Sequence, residues 1–190
     1  MKRIGIVGEN YQNDACAFGL LMTPQYKDTM QFVPIIKKPN TGTDKLGRLI
    51  LAAIEDEVLD AVICIKDLDT YPELSEREAS FRDLNKIIQK GIFYLAVMEF
   101  EALLLADIDN LNTVLKTKIS YKGNPIKEPD PKKFLIKQSN GKYTENESSK
   151  ICKTISFQTV YKTHIGERSF QEFIKKFEKQ FIEPSKTPKY

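Results

Sequence analysis

The chain has few of the residues on which several common kinds of site depend. It has a single histidine, three cysteines and no tryptophan among its 190 residues. A zinc centre needs closely spaced Cys and His ligands, and Cys16, Cys64, Cys152 and His164 do not have that spacing. We therefore expect a buried, structural role for Cys64 and His164. A scattered, odd-numbered set of cysteines is typical of a reduced protein, which predicts a cytoplasmic location.

Long apolar runs are also missing. No run approaches the roughly 20 apolar residues that a membrane-spanning helix needs, so we expect no membrane partner. The first residues, Met1 to Val7, lack the apolar stretch and cleavage site of a signal peptide. The first predicted strand is followed by neither of the two common glycine-rich phosphate-binding motifs, G-x-x-x-x-G-K-[ST] and G-x-G-x-x-G.

Charge is plentiful but unevenly distributed. The net charge is +3, yet residues 1–115 carry 12 basic and 18 acidic groups, a net charge of −6. Residues 116–190 carry 17 basic and 8 acidic groups, a net charge of +9. Two interpretations remain open: a surface for a polyanion such as nucleic acid beside an acidic site, or a solvated lysine-rich face.

Apolar periodicity alternates between strand and helix in the first half of the chain. Short apolar runs predict strands, and periodic runs between them predict helices capped by Asn13 or Asp14 and by Thr43 or Asp44. The predicted strands are 3–7, 31–36, 61–65 and 92–98, and the predicted helices are 14–22, 43–57 and 76–89. Pro34 favours an edge position or a strand end for the second strand. This order indicates an α/β fold with a Rossmann-like parallel sheet and helices on both faces.

The second half is lysine-rich and mainly helical. We predict a buried helix at 99–107, a short helix at 131–137 capped by Asp130, a helix at 145–157 and an amphipathic helix at 169–181. Asp107 and Asp109 are expected to cap the helix that follows them. The predicted organisation is an α/β core at 1–115, a basic helical extension at 116–183 packed on that core, and a flexible tail at 184–190.

Acidic residues follow three of the four predicted strands. Glu9 follows the first strand, Asp67 and Asp69 follow the third, and Glu99 and Glu101 follow the fourth. The carboxyl ends of parallel strands share one edge, where functional groups gather. Carboxylates packed together repel unless a cation neutralises them, and Mg²⁺ prefers oxygen ligands. The pattern predicts a Mg²⁺ or Mn²⁺ site, although each acid alone could merely cap a helix or a turn.

The order of these acids resembles the Toprim domain of topoisomerases, primases and OLD-type nucleases. The matching residues are Ile6 to Glu9 and Ile65 to Asp69, within roughly residues 1–110. The stretch Glu99 to Asp107 (EFEALLLAD) resembles a signature of the Toprim-like DUF4276 group, and Pro129 to Lys132 and Arg168 to Phe170 extend the likeness over nearly the whole chain. The first motif departs from that group's usual second acid, for which Asp14 is the available replacement.

The resemblance implies a Toprim-type nuclease, associated with phage defence or a mobile element. Glu9, Asp67 and Asp69 would hold Mg²⁺ or activate water, and Glu101, with Glu99, would bind a second metal or act as general base. Basic residues of the second half would contact the phosphate backbone of the nucleic acid: Lys127, Lys132, Lys133 and Arg168.

Two other interpretations belong to different functional classes. The chain can be a non-catalytic Toprim-like subunit that docks on a partner protein such as an ATPase, and a homo-oligomer is also open. A receiver-like domain phosphorylated on an aspartate would need an acidic pair after the first strand and a lysine after a fifth strand, and neither is evident.

Overall fold

The computed structural model describes residues 1–39, 41–67, 82–84, 86–88, 92–97, 99–167 and 169–182. Within these ranges the strands are β1 (Lys2–Val7), β2 (Met30–Pro34), β3 (Ala61–Asp67) and β4 (Ile92–Val97). All adjacent pairs are parallel, in the order β2-β1-β3-β4. The predicted parallel α/β sheet is confirmed.

The second strand is an edge strand that ends early. Pro34 is its last residue, as the sequence predicts, because proline has no N–H for the ladder. The predicted extension to Ile36 is wrong: Ile36 has φ 58°, a left-handed conformation that interrupts an extended strand. β3, in contrast, extends past its predicted end at Ile65 to Asp67, because pairing with β4 continues to Asp67 and Val97.

Two helices of the first half begin at different caps from those predicted. A π-helical segment, Tyr11–Cys16, leads into α1 (Ala17–Tyr26), which continues past the predicted end at Met22. Asn10 caps the π-helical segment, because its side chain accepts the N–H groups of Gln12 and Asn13, whereas Cys16 at the N-cap of α1 makes no side-chain cap bond. α2 (Thr43–Asp56) has Gly42 at its N-cap, with no side-chain bond. Residues 82–84 and 86–88 are helical within the predicted 76–89 helix.

The second half contains short helices. They are α3 (Glu101–Leu105), α4 (Ile108–Leu115), α5 (Pro131–Gln138), α6 (Ser148–Cys152), α7 (Phe157–Thr163) and α8 (Phe170–Phe181), with 3₁₀ turns at Pro125–Lys127 and Glu145–Glu147. Asp130 caps α5 by accepting the Lys133 N–H, as predicted. The single helix predicted at 145–157 is wrong, because the chain there forms a 3₁₀ turn and then α6.

Asp107 stands at the N-cap of α4 without capping it through its side chain. Its carboxylate instead accepts the Ser156 N–H at 2.7 Å and the Asn110 amide at 2.8 Å. The predicted capping role is therefore wrong for Asp107: the side chain links α4 to the start of α7.

The sheet is covered on both faces, as predicted. Side chains alternate along β1 and β3, so Ile4 and Ile63 face one cluster while Val62 and Cys64 face another. The first cluster contains α1 and the helices of the second half, and the second contains α2. The predicted phenylalanine stripe of α8 is buried in the first cluster, where the rings of Phe170 and Phe173 meet Phe18, consistent with core packing.

No helix within the described ranges has the length and apolar character needed to cross a membrane.

Candidate carboxylate site at the sheet edge

The carboxyl ends of β1 and β3 bring acidic and basic side chains together. Glu9 follows β1 after Gly8, and the Lys66 Nζ of β3 lies 3.8 Å from Glu9 Oε1. Asp67 is the last residue of β3 rather than a residue after it, and its Oδ1 atom is buried. Asp69, the second acid of the D-x-D pair, lies outside the described residues.

The π-helical segment after β1 holds Asp14 inside the protein. Asp14 Oδ2 accepts the backbone N–H of Asn10 at 2.6 Å, while Asn10 Oδ1 accepts the N–H of Asn13 at 3.1 Å. Asp14 packs directly against Gly8, where an added Cβ atom would lie only 2.4 Å from Asp14 Cβ. Glycine at position 8 is therefore what allows the Asp14 carboxyl to occupy this place.

Burial gives Asp14 an unusual affinity for a proton. The residue is 7% exposed, and burial is the main reason that its pKa rises from 3.8 to about 7. The hydrogen bond from Asn10 opposes the rise, whereas the neighbouring Glu101, Glu9 and Glu145 carboxylates add to it. Near neutral pH, Asp14 is therefore divided between its protonated and ionised forms.

Glu101, at the start of α3, is held by a buried tyrosine. The Tyr143 hydroxyl donates to Glu101 Oε1 at 2.8 Å and lies 3.2 Å from Ser148 Oγ. Burial raises the pKa of Glu101, and the bond from Tyr143 and the charge of Lys132 lower it. The pKa of Tyr143 is raised by burial and by Glu101, so its hydroxyl stays protonated as a donor.

A third group of contacts joins the second half of the chain to this edge. The Lys132 N–H donates to Glu99 Oε2 at 2.7 Å, and the Lys132 ammonium forms an ion pair with Glu145. Asn13 also donates to Glu145, at 3.3 Å. Because α5 and the 3₁₀ turn at Glu145–Glu147 supply these groups, the site is built from both halves of the sequence.

The other described basic residues that were predicted to contact phosphate are exposed. Lys133 is exposed and pairs with Asp130 at 2.6 Å, and Lys127 is exposed at the end of its 3₁₀ turn. Arg168 lies outside the described residues. Lys132, in contrast, is partly buried and contacts the Glu99 and Glu145 carboxylates.

Five carboxyl groups thus share one region, which we call the carboxylate cluster: Glu9, Asp14, Glu99, Glu101 and Glu145. The sequence motifs indicate Glu9, Glu99 and Glu101, and they suggest Asp14 only as a replacement acid. Glu145 and Tyr143 have no local signal, since they come from an irregular segment more than 40 residues further along the chain than Glu101. The polar pair Asn13–Asp14 inside a buried helical segment is a second hint that the sequence offers for Asp14.

The chemistry of the cluster suits a hard cation, but its geometry limits how one can be held. In the part of the chain that the structure describes, no three His, Cys, Asp or Glu side chains are close enough to hold a metal ion together. A closed, zinc-type site is therefore not formed by these residues. Mg²⁺ commonly uses only one or two carboxylates and keeps several waters, so it needs fewer direct ligands.

Comparisons of the chain with protein-family models, with curated proteins and with solved structures give no match. The likeness to Toprim proteins therefore remains a prediction from the motifs.

Proposed function

We propose that this protein is a divalent-metal-dependent nuclease of Toprim type that hydrolyses phosphodiester bonds in nucleic acid. The observation that carries the proposal is the carboxylate cluster together with Asp67 at the carboxyl end of β3. Burying carboxylates beside one another is unfavourable unless a cation or a proton compensates. The fold gathers them from both halves of the chain at the carboxyl edge of a parallel sheet, which is where such a cation would bind.

The metal in this proposal is Mg²⁺ or Mn²⁺, held by Glu9 and Asp67 together with Asp69. When bound, such an ion lowers the pKa of a coordinated water and stabilises charge on the phosphate. The supporting observation is that Glu9 lies beside the end of β3: its Oε1 atom is 3.8 Å from the Nζ atom of Lys66, the residue before Asp67.

Glu101 is the proposed general base. Its raised pKa moves it towards the pH at which a carboxylate accepts a proton most effectively, and Tyr143 fixes its orientation. Asp14, with a pKa of about 7, is the proposed group that stores and returns a proton near neutral pH. Exposed lysines of the second half, Lys127 and Lys133, are the proposed contacts to the phosphate backbone, which position without reading sequence.

Cleavage assays test this function directly. Plasmid DNA, single-stranded DNA and RNA are incubated with Mg²⁺ or Mn²⁺ and wild type, Asp67→Ala or Asp109→Ala. Asp109 is an exposed acid in the first turn of α4 and serves as the matched control. We expect Asp67→Ala to lose about a hundredfold or more in rate, as metal-site and electrostatic groups do, and Asp109→Ala to match wild type. Equal rates for wild type and Asp67→Ala on every substrate would refute the proposal.

A second function is a non-catalytic subunit that uses the same scaffold to dock on a partner protein such as an ATPase. The observation that favours it is the lack, across the described ranges, of three acids close enough to share an ion. Isothermal titration with Mn²⁺ separates the two functions. Binding supports the nuclease, and no binding at millimolar Mn²⁺ supports the docking subunit.

A further inference from the structure

An open cavity adjoins the carboxylate cluster. It has a volume of about 670 Å³ and lies between residues 9–12, which follow β1, and residues 37–39, which follow β2. Glu9 belongs to both the cavity wall and the cluster. A volume in this range fits one small-molecule-sized group, and the shared glutamate sets that group beside the carboxylates.

The residues that follow β2 contribute two cations to the cavity wall. Lys37 and Lys38 are exposed, and neither forms an ion pair with another described residue. The preceding residue, Ile36, has φ 58°, an unfavourable conformation for a β-branched side chain. The chain therefore leaves the sheet by a turn that brings both lysines to the cavity, where they can neutralise an anion.

The residues that follow β1 contribute an aromatic ring and amides to the cavity wall. Tyr11 is half-buried and lines the cavity, with the side chains of Asn10 and Gln12 on either side of it in sequence. An aromatic face stacks on any nucleic-acid base, and amides can bond to base edges. A stacked duplex presents phosphates on a convex surface, whereas a cavity with a ring and cations fits a nucleotide that has left the stack.

We propose that this cavity holds one unstacked nucleotide of a single-stranded nucleic acid. Its phosphate contacts Lys37 and Lys38, its base stacks on Tyr11, and the adjoining phosphodiester lies towards Glu9. The inference takes its substrate class from the proposed function and adds strand preference and the residues that set it.

Fluorescence anisotropy with a short labelled oligothymidylate, in buffer with Ca²⁺, measures the contacts. The variants are Lys37→Ala/Lys38→Ala, Tyr11→Ala and Tyr11→Phe, and the matched control is Lys175→Ala/Lys179→Ala on the exposed side of α8. Removing the contacts to this one phosphate lowers the slope of log affinity against log salt by about 0.7 for a single strand. Tyr11→Ala weakens binding by about tenfold, and Tyr11→Phe keeps the ring and the affinity.

A duplex of the same length and the cleavage assay complete the test. We expect wild type to bind the single strand more tightly than the duplex, and the control pair to leave the affinity and salt slope near those of wild type. An unchanged slope in Lys37→Ala/Lys38→Ala, or no binding of the single strand by wild type, overturns the inference. Asp67-dependent cleavage with an unchanged slope overturns this inference alone, whereas lysine- and ring-dependent binding without any cleavage overturns the nuclease alone.

Discussion

Replacing Asp14 with asparagine should stabilise the protein at pH 8 in the absence of metal. The carboxyl is 7% exposed, and burial with three neighbouring carboxylates raises its pKa from 3.8 to about 7. That rise corresponds to roughly 4 kcal/mol of preference for the neutral form. Asparagine is always neutral, keeps the shape and can still accept the Asn10 N–H, so Asp14→Asn removes this penalty.

The pH dependence follows from the direction of the shift. A carboxyl whose pKa is raised in the folded state contributes stability that is fully present below its unfolded pKa and is lost as pH rises through the folded value. For Asp14 that window runs from about pH 4 to about pH 7. The advantage of Asp14→Asn should therefore be largest above pH 7 and fall to roughly half or less at pH 5.

Urea denaturation at both pH values, with EDTA, measures the effect. We expect a gain of about 2 kcal/mol at pH 8, below the 4 kcal/mol limit because the new amide N–H₂ also needs a partner. Asp109→Asn, at an exposed position, is the control and should change stability by less than about 0.5 kcal/mol. If Asp14→Asn is no more stable than wild type at pH 8, the ionised Asp14 carboxylate does not destabilise the folded protein, and the prediction is wrong.

Three further predictions concern the supports of the site and of the core. Gly8→Ala sets a Cβ atom 2.4 Å from Asp14 Cβ, so urea denaturation should show a loss of about 1–3 kcal/mol in the free energy of unfolding. The control, Gly42→Ala, meets nothing within 4 Å and should be near neutral. Equal effects of the two substitutions would contradict the packing of Asp14 against Gly8. Tyr143→Phe removes the donor that lowers the pKa of Glu101, so the acidic limb of the pH–rate profile should move to higher pH, and an unmoved limb would exclude Glu101 as the base. His164 is buried, and its Nδ1 atom accepts the Phe170 N–H at 2.9 Å. Burial lowers the pKa of His164 to about 4, so its contribution to stability is present above pH 6.5 and is lost as pH falls towards 4. The stability difference between wild type and His164→Gln should therefore shrink by about 3 kcal/mol over that window, and a constant difference would refute a buried neutral imidazole.

The sequence predicts the parallel sheet because its strands are continuous apolar runs that must be covered on both faces. The cap of α5 at Asp130 is equally local, since an aspartate before a proline suits a helix start. The cap of the π-helical segment before α1 cannot be predicted in this way: Asn10, Asn13 and Asp14 are all competent capping residues, and the choice of Asn10 depends on the packing of Asp14 against Gly8.

The residues of the candidate site also fall into two groups, those that the sequence predicts and those that it does not. Glu9, Glu99 and Glu101 can be predicted because each follows a strand, and parallel strands end at a common edge. Glu145, Tyr143 and the pairing of Lys132 cannot, because they come from turns whose position depends on how the second half packs over α1 and α3. Lys132 illustrates the difference. Its lysine-rich neighbourhood predicts a phosphate contact, whereas in the structure its backbone N–H bonds to Glu99 and its ammonium pairs with Glu145.

The central claim is that the carboxyl edge of the sheet binds a divalent cation. Crystals grown with Mn²⁺ test it most directly, because anomalous scattering locates the ion without reference to activity. We predict an anomalous peak within coordinating distance of the Glu9 and Asp67 carboxylates, and its loss in Glu9→Gln/Asp67→Asn. Crystals of wild type at millimolar Mn²⁺ with no peak at this edge, or with a peak that persists in the double variant, would contradict the account.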